Sequence, residues 1–247
     1  MTGRASGVCW PLRPGVGARR VELAESLQLQ LIMSVHGPMQ SIVARISVKP
    51  EACEIFESLL LAAIDRVKQE ERGTLVYVLL KDPKIMGVYC MIELYDSVDA
   101  VSVHNKNNEN LLNDLVKCLA GRPEISMTSV VGSPGLKTGS SSFGVIASLP
   151  VKDLSKFSKA SLHLIDEVQT KEEGCLMYCM SMNARASGVL FTELYADAKA
   201  LQHHSQTPYF LAANQAQGRL LNGRPRIDVL TVVGGFQRQS APTKAQL

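Results

Sequence analysis

Gly73-Thr-Leu-Val-Tyr77 is followed by Gly87-Val88, Glu93-Leu-Tyr95, His104, Gly121-Arg-Pro123 and Val130-Val-Gly132. Gly174-Cys-Leu-Met-Tyr178 is followed in the same order by Gly188-Val189, Glu193-Leu-Tyr195, His204, Gly223-Arg-Pro225 and Val232-Val-Gly234, at an offset that drifts only between 100 and 102 residues. One folding unit is therefore written twice. A period this long describes two fused domains rather than a solenoid of short repeats. Each copy, at roughly ninety residues, is long enough to bury a core of its own.

Outward from these signposts, copy one opens with Ile42, Ala44, Ile46 and Val48 on one face of a strand. Pro50 and Glu51 then start a helix whose apolar positions Ile55, Phe56, Leu59, Leu60, Ala63, Ile64 and Val67 recur at helical spacing. Gly73 reads as its left-handed terminator. Leu75 to Leu80 and Val88 to Tyr95 form a hairpin around the turn signal Asp82-Pro83. A second helix is expected from about Val98 to Leu119, stopped by Gly121-Arg-Pro123, before a last strand from Ile125 to Val131. Copy two repeats this order, with its second helix expected from Ala198 to Leu221.

The order β-α-β-β-α-β is the split βαβ, or ferredoxin-like, arrangement. Its helices cover one face of a four-stranded sheet, so the other face needs a partner, and the second copy supplies one. The expectation is an α+β chain in which two such domains pack sheet to sheet as a barrel with helices outside. The parts are an N-terminal extension at 1–40, domains at 41–132 and 143–236, a flexible Gly/Ser linker at 133–142 and a disordered tail at 237–247.

Charge supports mutual pairing. Residues 41–135 carry ten Lys and Arg against thirteen Asp and Glu, while residues 136–247 carry twelve against eight. Halves of opposite sign attract each other, and a net charge of +3 makes no phosphate-binding stripe. Nucleic acid is therefore not an expected partner. An RNA-recognition domain shares the element order, but its third strand would here end in Glu93-Leu-Tyr-Asp96, acidic where RNA needs the opposite sign. No apolar run approaches the roughly 18–20 residues of a membrane span. The cysteines at 9, 53, 90, 118, 175 and 179 follow no disulfide or zinc spacing, which fits reduced thiols and a cytoplasmic location. The first forty residues hold Arg4, Arg13, Arg19 and Arg20 with no acid before Glu22. That start reads either as a plain extension or as a mitochondrial transit peptide.

Glu172-Glu-Gly174, Leu176-Met-Tyr178, Glu193-Leu-Tyr195 and Ala200-Leu-Gln-His-His204-Ser-Gln-Thr-Pro208-Tyr-Phe210 together resemble the antibiotic biosynthesis monooxygenase domain family. Copy one keeps the first two motifs but has Val101-Ser-Val-His104 followed by Asn105 to Asn110 in place of the third. The resemblance implies a dimeric α+β barrel, here carried by one chain, and a pocket per domain between sheet and helices. In some relatives that pocket oxidises phenolic or quinol-like substrates with dioxygen and no bound cofactor. A small aromatic or quinone-like ligand is the implied partner, and further homo-oligomerisation is compatible with the architecture. Haem cleavage, which relies on a pocket tryptophan and asparagine in a related branch, is not supported, because the only tryptophan is Trp10. The alternative is a non-catalytic ligand-binding or assembly module on the same barrel.

Strand alternation puts Phe191, Glu193 and Tyr195 on one face. A carboxylate between aromatic rings is desolvated, which raises its pKa toward that of a useful base. The competing reading gives Glu193 a structural partner such as Arg224. His204 is a second candidate base, with a surface helix histidine as the plainer reading. Tyr178, Phe191, Tyr195, His203, Tyr209 and Phe210 are the candidate substrate contacts. His203 and His204 diverge by about 100° on a helix, so no metal site is expected from them. Copy one has polar residues where Tyr209 and Phe210 stand, so the expected working site is in copy two.

Overall fold

The structure, a computed structural model, describes residues 39–183 and 188–238. The N-terminal stretch and nearly all of the tail lie outside the described residues. Copy one comprises β1 (Gln40–Ser47), α1 (Cys53–Glu70), β2 (Thr74–Lys81), β3 (Val88–Tyr95), α2 (Val98–Asn107), α3 (Glu109–Cys118) and β4 (Glu124–Val131). Copy two comprises β5 (Phe143–Pro150), α4 (Leu154–Lys171), β6 (Cys175–Asn183), β7 (Gly188–Tyr195), α5 (Ala198–Gln206), α6 (Pro208–Gly218) and β8 (Arg226–Gln237).

All eight strands close into one barrel in the order β1-β3-β2-β8-β5-β7-β6-β4. Each copy contributes four strands, and the seams join the copies edge to edge. β2 pairs with β8 from Val76↔Gln237 to Lys81↔Thr231, and β4 pairs with β6 from Ser129↔Met182 to Val131↔Met180. Uncovered sheet faces were reason enough to expect the two halves to pack. The seams add a second reason, since each closes an edge strand whose backbone groups would otherwise be open to other chains.

Strand alternation sorts side chains into two layers. Val43, Val78, Leu80, Ile92, Ile146, Met177, Leu194 and Leu230 fill the barrel interior. Outside the sheet, α1 lays Phe56, Leu60, Ile64 and Val67 on Tyr77, Tyr89 and Met91. In the same way α4 lays Phe157, Leu164, Ile165 and Val168 on Tyr178, Phe191 and Tyr195. With Leu94 and Leu194 inside, Glu93, Tyr95, Glu193 and Tyr195 must face the helices. Sheet parity alone thus carries an acid into each sheet–helix layer.

Three local expectations are corrected. The second helix of each copy is broken in two. In copy two, Thr207 is extended (φ −66°, ψ 141°), as a residue before proline prefers, and its Oγ1 accepts from Phe210 N to start α6. In copy one the break falls at Asn108, whose amide turns back to donate to the His104 carbonyl at 2.7 Å. Secondly, neither Gly73 nor Gly174 has positive φ. A Cβ on Gly73 would come within 2.6 Å of Ala100 Cβ, and one on Gly174 within 2.6 Å of Ala200 Cβ. These glycines let α2 and α5 sit close on the sheet. Thirdly, the 133–142 segment is tied down: Lys137 N donates to Leu176 O, Tyr178 N to Pro134 O, and Gln169 Nε2 to Ser133 O.

Candidate functional site

The strand alternation that buries Glu193 also sets its surroundings. It lies in the sheet–helix layer of copy two, and its carboxylate accepts from the Tyr195 hydroxyl at 2.7 Å. Burial pushes its pKa above the ordinary carboxylate value, and the negative charge of Glu172 adds to the rise. The charge of His204 and the Tyr195 hydrogen bond oppose it. Arg224 is exposed, and the partner of Glu193 is Tyr195.

Facing this strand is α5, whose first turn is capped by Asp197, an acceptor for Ala200 N at 2.8 Å. Its inward histidine, His204, is 2% exposed. Nδ1 lies 3.0 Å from both carboxylate oxygens of Glu172. Glu172 closes the C-terminal end of α4, is itself 2% exposed, and also accepts from the Tyr209 hydroxyl at 2.9 Å. A carboxylate oxygen is the acceptor here, so Nδ1 is the ring nitrogen that donates to Glu172, and Nε2 points away from it. That Nε2 is buried and has no hydrogen-bond partner. The rings of Phe210 (4.4 Å between centroids), Tyr178 (5.1 Å) and Tyr195 (5.6 Å) surround the imidazole, and Phe191 packs behind Tyr178 at 5.4 Å.

Seven of the eight residues singled out in the sequence therefore gather in one layer. The exception is His203, which is exposed, turned about 100° around α5 from the buried His204. Glu172 was missed as a member. Its signal was present, since Glu71 and Glu172 stand two residues before the matched glycines Gly73 and Gly174. At a helix end, however, an acid normally reads as solvated.

Copy one keeps the skeleton and changes its environment. Tyr95 donates to Glu93 at 2.6 Å, and His104 Nδ1 lies 2.8 Å from Glu71. Burial again raises the pKa of Glu93. Here Glu71 is surrounded by polar donors: Thr74 Oγ1 at 3.3 Å, Asn107 Nδ2 at 3.3 Å, and an Arg66 guanidinium nitrogen at 3.8 Å. The Asn108 amide sits 3.3 Å from His104 Nδ1 and 3.5 Å from Nε2. A cleft of about 270 Å³ opens beside Glu71 and is rimmed by Glu70, Arg72, Asp96 and Asp99, with no aromatic lining. Among the described residues, no group of three or more His, Cys, Asp or Glu side chains is arranged to hold a metal ion. None of the described helices is long and apolar enough to cross a membrane.

The class defined by this fold is the fused α+β barrel, with a Glu–His–Glu–Tyr cluster under the helices of each half, fully buried in copy two. The profile of the family described as "Antibiotic biosynthesis monooxygenase" matches residues 39–110 and 144–216, more than half of the chain. The chain belongs to that family, and a function of monooxygenase type is the coarse assignment that membership carries. Among solved structures, a candidate monooxygenase from Fusobacterium nucleatum subsp. nucleatum superposes with a TM-score of 0.71 at 17% identity. The match covers 83% of this chain and 96% of that one. One from Lactobacillus acidophilus NCFM gives 0.68 at 16% identity, over 82% and 100% of the two chains. An anthrone oxidase-like protein gives 0.54 at 11% identity, over 81% and 93%. At these identities the likeness is one of fold. No curated protein matches the chain.

Proposed function

We propose that copy two carries the working site, and that it oxidises a small phenolic, quinol-type or anthrone-type aromatic with dioxygen. The observation that carries this reading is the state of His204. One nitrogen is anchored to a buried carboxylate, while the other is buried among aromatic rings with nothing to bond. A buried ring nitrogen left without a partner costs about 1–3 kcal/mol. A ligand hydroxyl that donates to Nε2 would recover that loss and be positioned for proton transfer.

In the proposed reaction Nε2 takes the acidic proton of the substrate. The resulting anion passes one electron to dioxygen, and the substrate radical and superoxide combine to form a C–O bond. The proton held by His204 returns to the peroxide, the O–O bond breaks, and water leaves. For a methylene carbon the balance is one methylene group and one dioxygen giving one carbonyl group and one water. The substrate supplies all four electrons, so the scheme needs no cofactor. Glu172 holds the imidazole in its basic tautomer. Glu193 accepts from the Tyr195 hydroxyl and so fixes that side chain beside His204. Tyr178, Phe191 and Phe210 supply apolar walls, and Tyr209 steadies Glu172.

In copy one the amides of Asn107 and Asn108 and the guanidinium of Arg66 saturate the corresponding carboxylate and crowd the imidazole. This favours a structural role for that half, whose sheet completes the barrel. Oxygen uptake by the purified protein with anthrones and hydroquinones tests the proposal. Uptake that depends on His204 is expected. Tight binding of the same aromatics without any oxygen uptake would replace catalysis with ligand binding.

A further inference from the structure

At one rim of the barrel a polar cluster has its members at matched positions in the two copies, with Arg45 buried and Glu124 and Arg226 exposed. Arg45 on β1 lies opposite Glu124 of β4, and Ser148 on β5 lies opposite Arg226 of β8. Two residues further along these strands, Ser126 stands opposite Val43 and Asp228 opposite Ile146. The register therefore makes Arg45 equivalent to Ser148, Glu124 to Arg226, and Ser126 to Asp228. At every one of these three pairs the copies have diverged in charge.

The diverged residues bond each other across the copies. Arg45, only 7% exposed, donates from Nε to Asp228 at 2.8 Å and from Nη2 to the Ser148 hydroxyl at 3.0 Å. Glu124 accepts from Arg226 at 2.9 Å. Thus Arg45 lies within hydrogen-bond distance of its own equivalent position, and Glu124 lies within that distance of its own. A barrel built from two copy-one halves would bring two guanidinium groups into one buried slot and set Glu124 against Glu124. It would also replace the Asp228 carboxylate with the Ser126 hydroxyl. A barrel of two copy-two halves would bring Arg226 against Arg226 and take Arg45 from each Asp228, leaving it only the Arg226 of its own half at 3.3 Å.

We infer that Arg45, Glu124, Arg226 and Asp228 are a pairing code that admits one copy-one half and one copy-two half to each barrel and rejects either half as its own partner. Discrimination of this kind rests on the repulsion built into the wrong pair as much as on the attraction in the right one. The surface involved is the inner rim of the barrel, and the partner it fits is a half with a small hydroxyl where it has arginine and a carboxylate where it has serine. The same code governs contacts between chains. If two chains exchange halves, the exchanged barrels must still pair copy one with copy two.

Thermal unfolding of the full chain tests this with two variants. Ser148→Arg places a second arginine in the single slot, and should lower the melting temperature by about 10 °C, as an unpaired buried charge does in a chain of this size. The second variant exchanges all three pairs: Arg45→Ser with Ser148→Arg, Glu124→Arg with Arg226→Glu, and Ser126→Asp with Asp228→Ser. It carries that same new arginine but restores one arginine per barrel in mirror image, and should melt within about 3 °C of the wild type. A wild-type melting temperature for Ser148→Arg would overturn the inference. So would a six-fold exchange as unstable as the single variant, since position rather than complementarity would then decide stability.

Discussion

Replacing Glu172 by Gln separates the anchored imidazole from its carboxylate while changing one atom. In the native site the acid serves two donors, His204 Nδ1 at 3.0 Å and the Tyr209 hydroxyl at 2.9 Å. An amide with its oxygen in the Oε1 place can still accept from both, but its nitrogen in the Oε2 place sets one N–H donor against another at 3.0 Å, so a buried donor is left without an acceptor. Tyr209 is half-buried and can turn to water, whereas the imidazole cannot. The unsatisfied group costs about 1–3 kcal/mol, which for a chain of this length lowers the melting temperature by roughly 3–10 °C. Loss of the fixed tautomer should reduce turnover by about 10²–10⁴-fold, the range for a general base that has lost its orienting acid. The control is Glu71→Gln, which removes the matching acid of copy one. It should show a stability loss of the same order with oxygen uptake unchanged. Both variants are followed by circular dichroism melts and an oxygen electrode. Equal turnover losses in the two variants, or full turnover in folded Glu172→Gln, would refute the reasoning.

His204→Ala should abolish or strongly weaken oxygen uptake while His104→Ala leaves it nearly unchanged, and stopped-flow uptake by folded protein decides between them. Glu193 is held above the ordinary carboxylate range when folded, so the folded state keeps its proton to higher pH than the unfolded chain does. The wild type therefore loses stability as pH rises from the unfolded value toward the folded one. Glu193→Gln removes that loss, and its melting temperature relative to wild type should climb across this window and level off above it; a pH-independent difference would contradict the burial argument. Gly174→Ala and Gly73→Ala each force a Cβ to within 2.6 Å of the facing alanine. Each should cost about 1–3 kcal/mol by overpacking, but only Gly174→Ala, by lifting the helix that carries His204, should also slow turnover. Melting curves alongside steady-state rates test that contrast.

The repeat itself was legible because identity, order and spacing survive in a linear string. Gly73 to Gly132 and Gly174 to Gly234 announce two copies of one element order. Alternation along β3 and β7 then fixes which side chains share a face, since a strand has only two. The sequence therefore determined the ferredoxin-like halves, their joining in one barrel, and the grouping of Phe191, Glu193 and Tyr195. It could not determine which residues from distant segments meet. Glu172 and His204 are 32 positions apart and touch only because α4 and α5 lie on the same sheet, with Gly174 letting α5 settle close. The break at Thr207 was also decided in three dimensions. Pro208 permits a stop, but a helix can also carry a proline as its first residue, which is what α6 does here. Copy one kept its histidine and both acids, and the run Asn105 to Asn110 already marked its divergence in the sequence, but that Asn107, Asn108 and Arg66 gather around Glu71 was decided only by the tertiary structure. Hydrogen bonds between remote side chains leave no periodic trace along the chain, so tertiary structure alone decided where the unpaired nitrogen of His204 would lie.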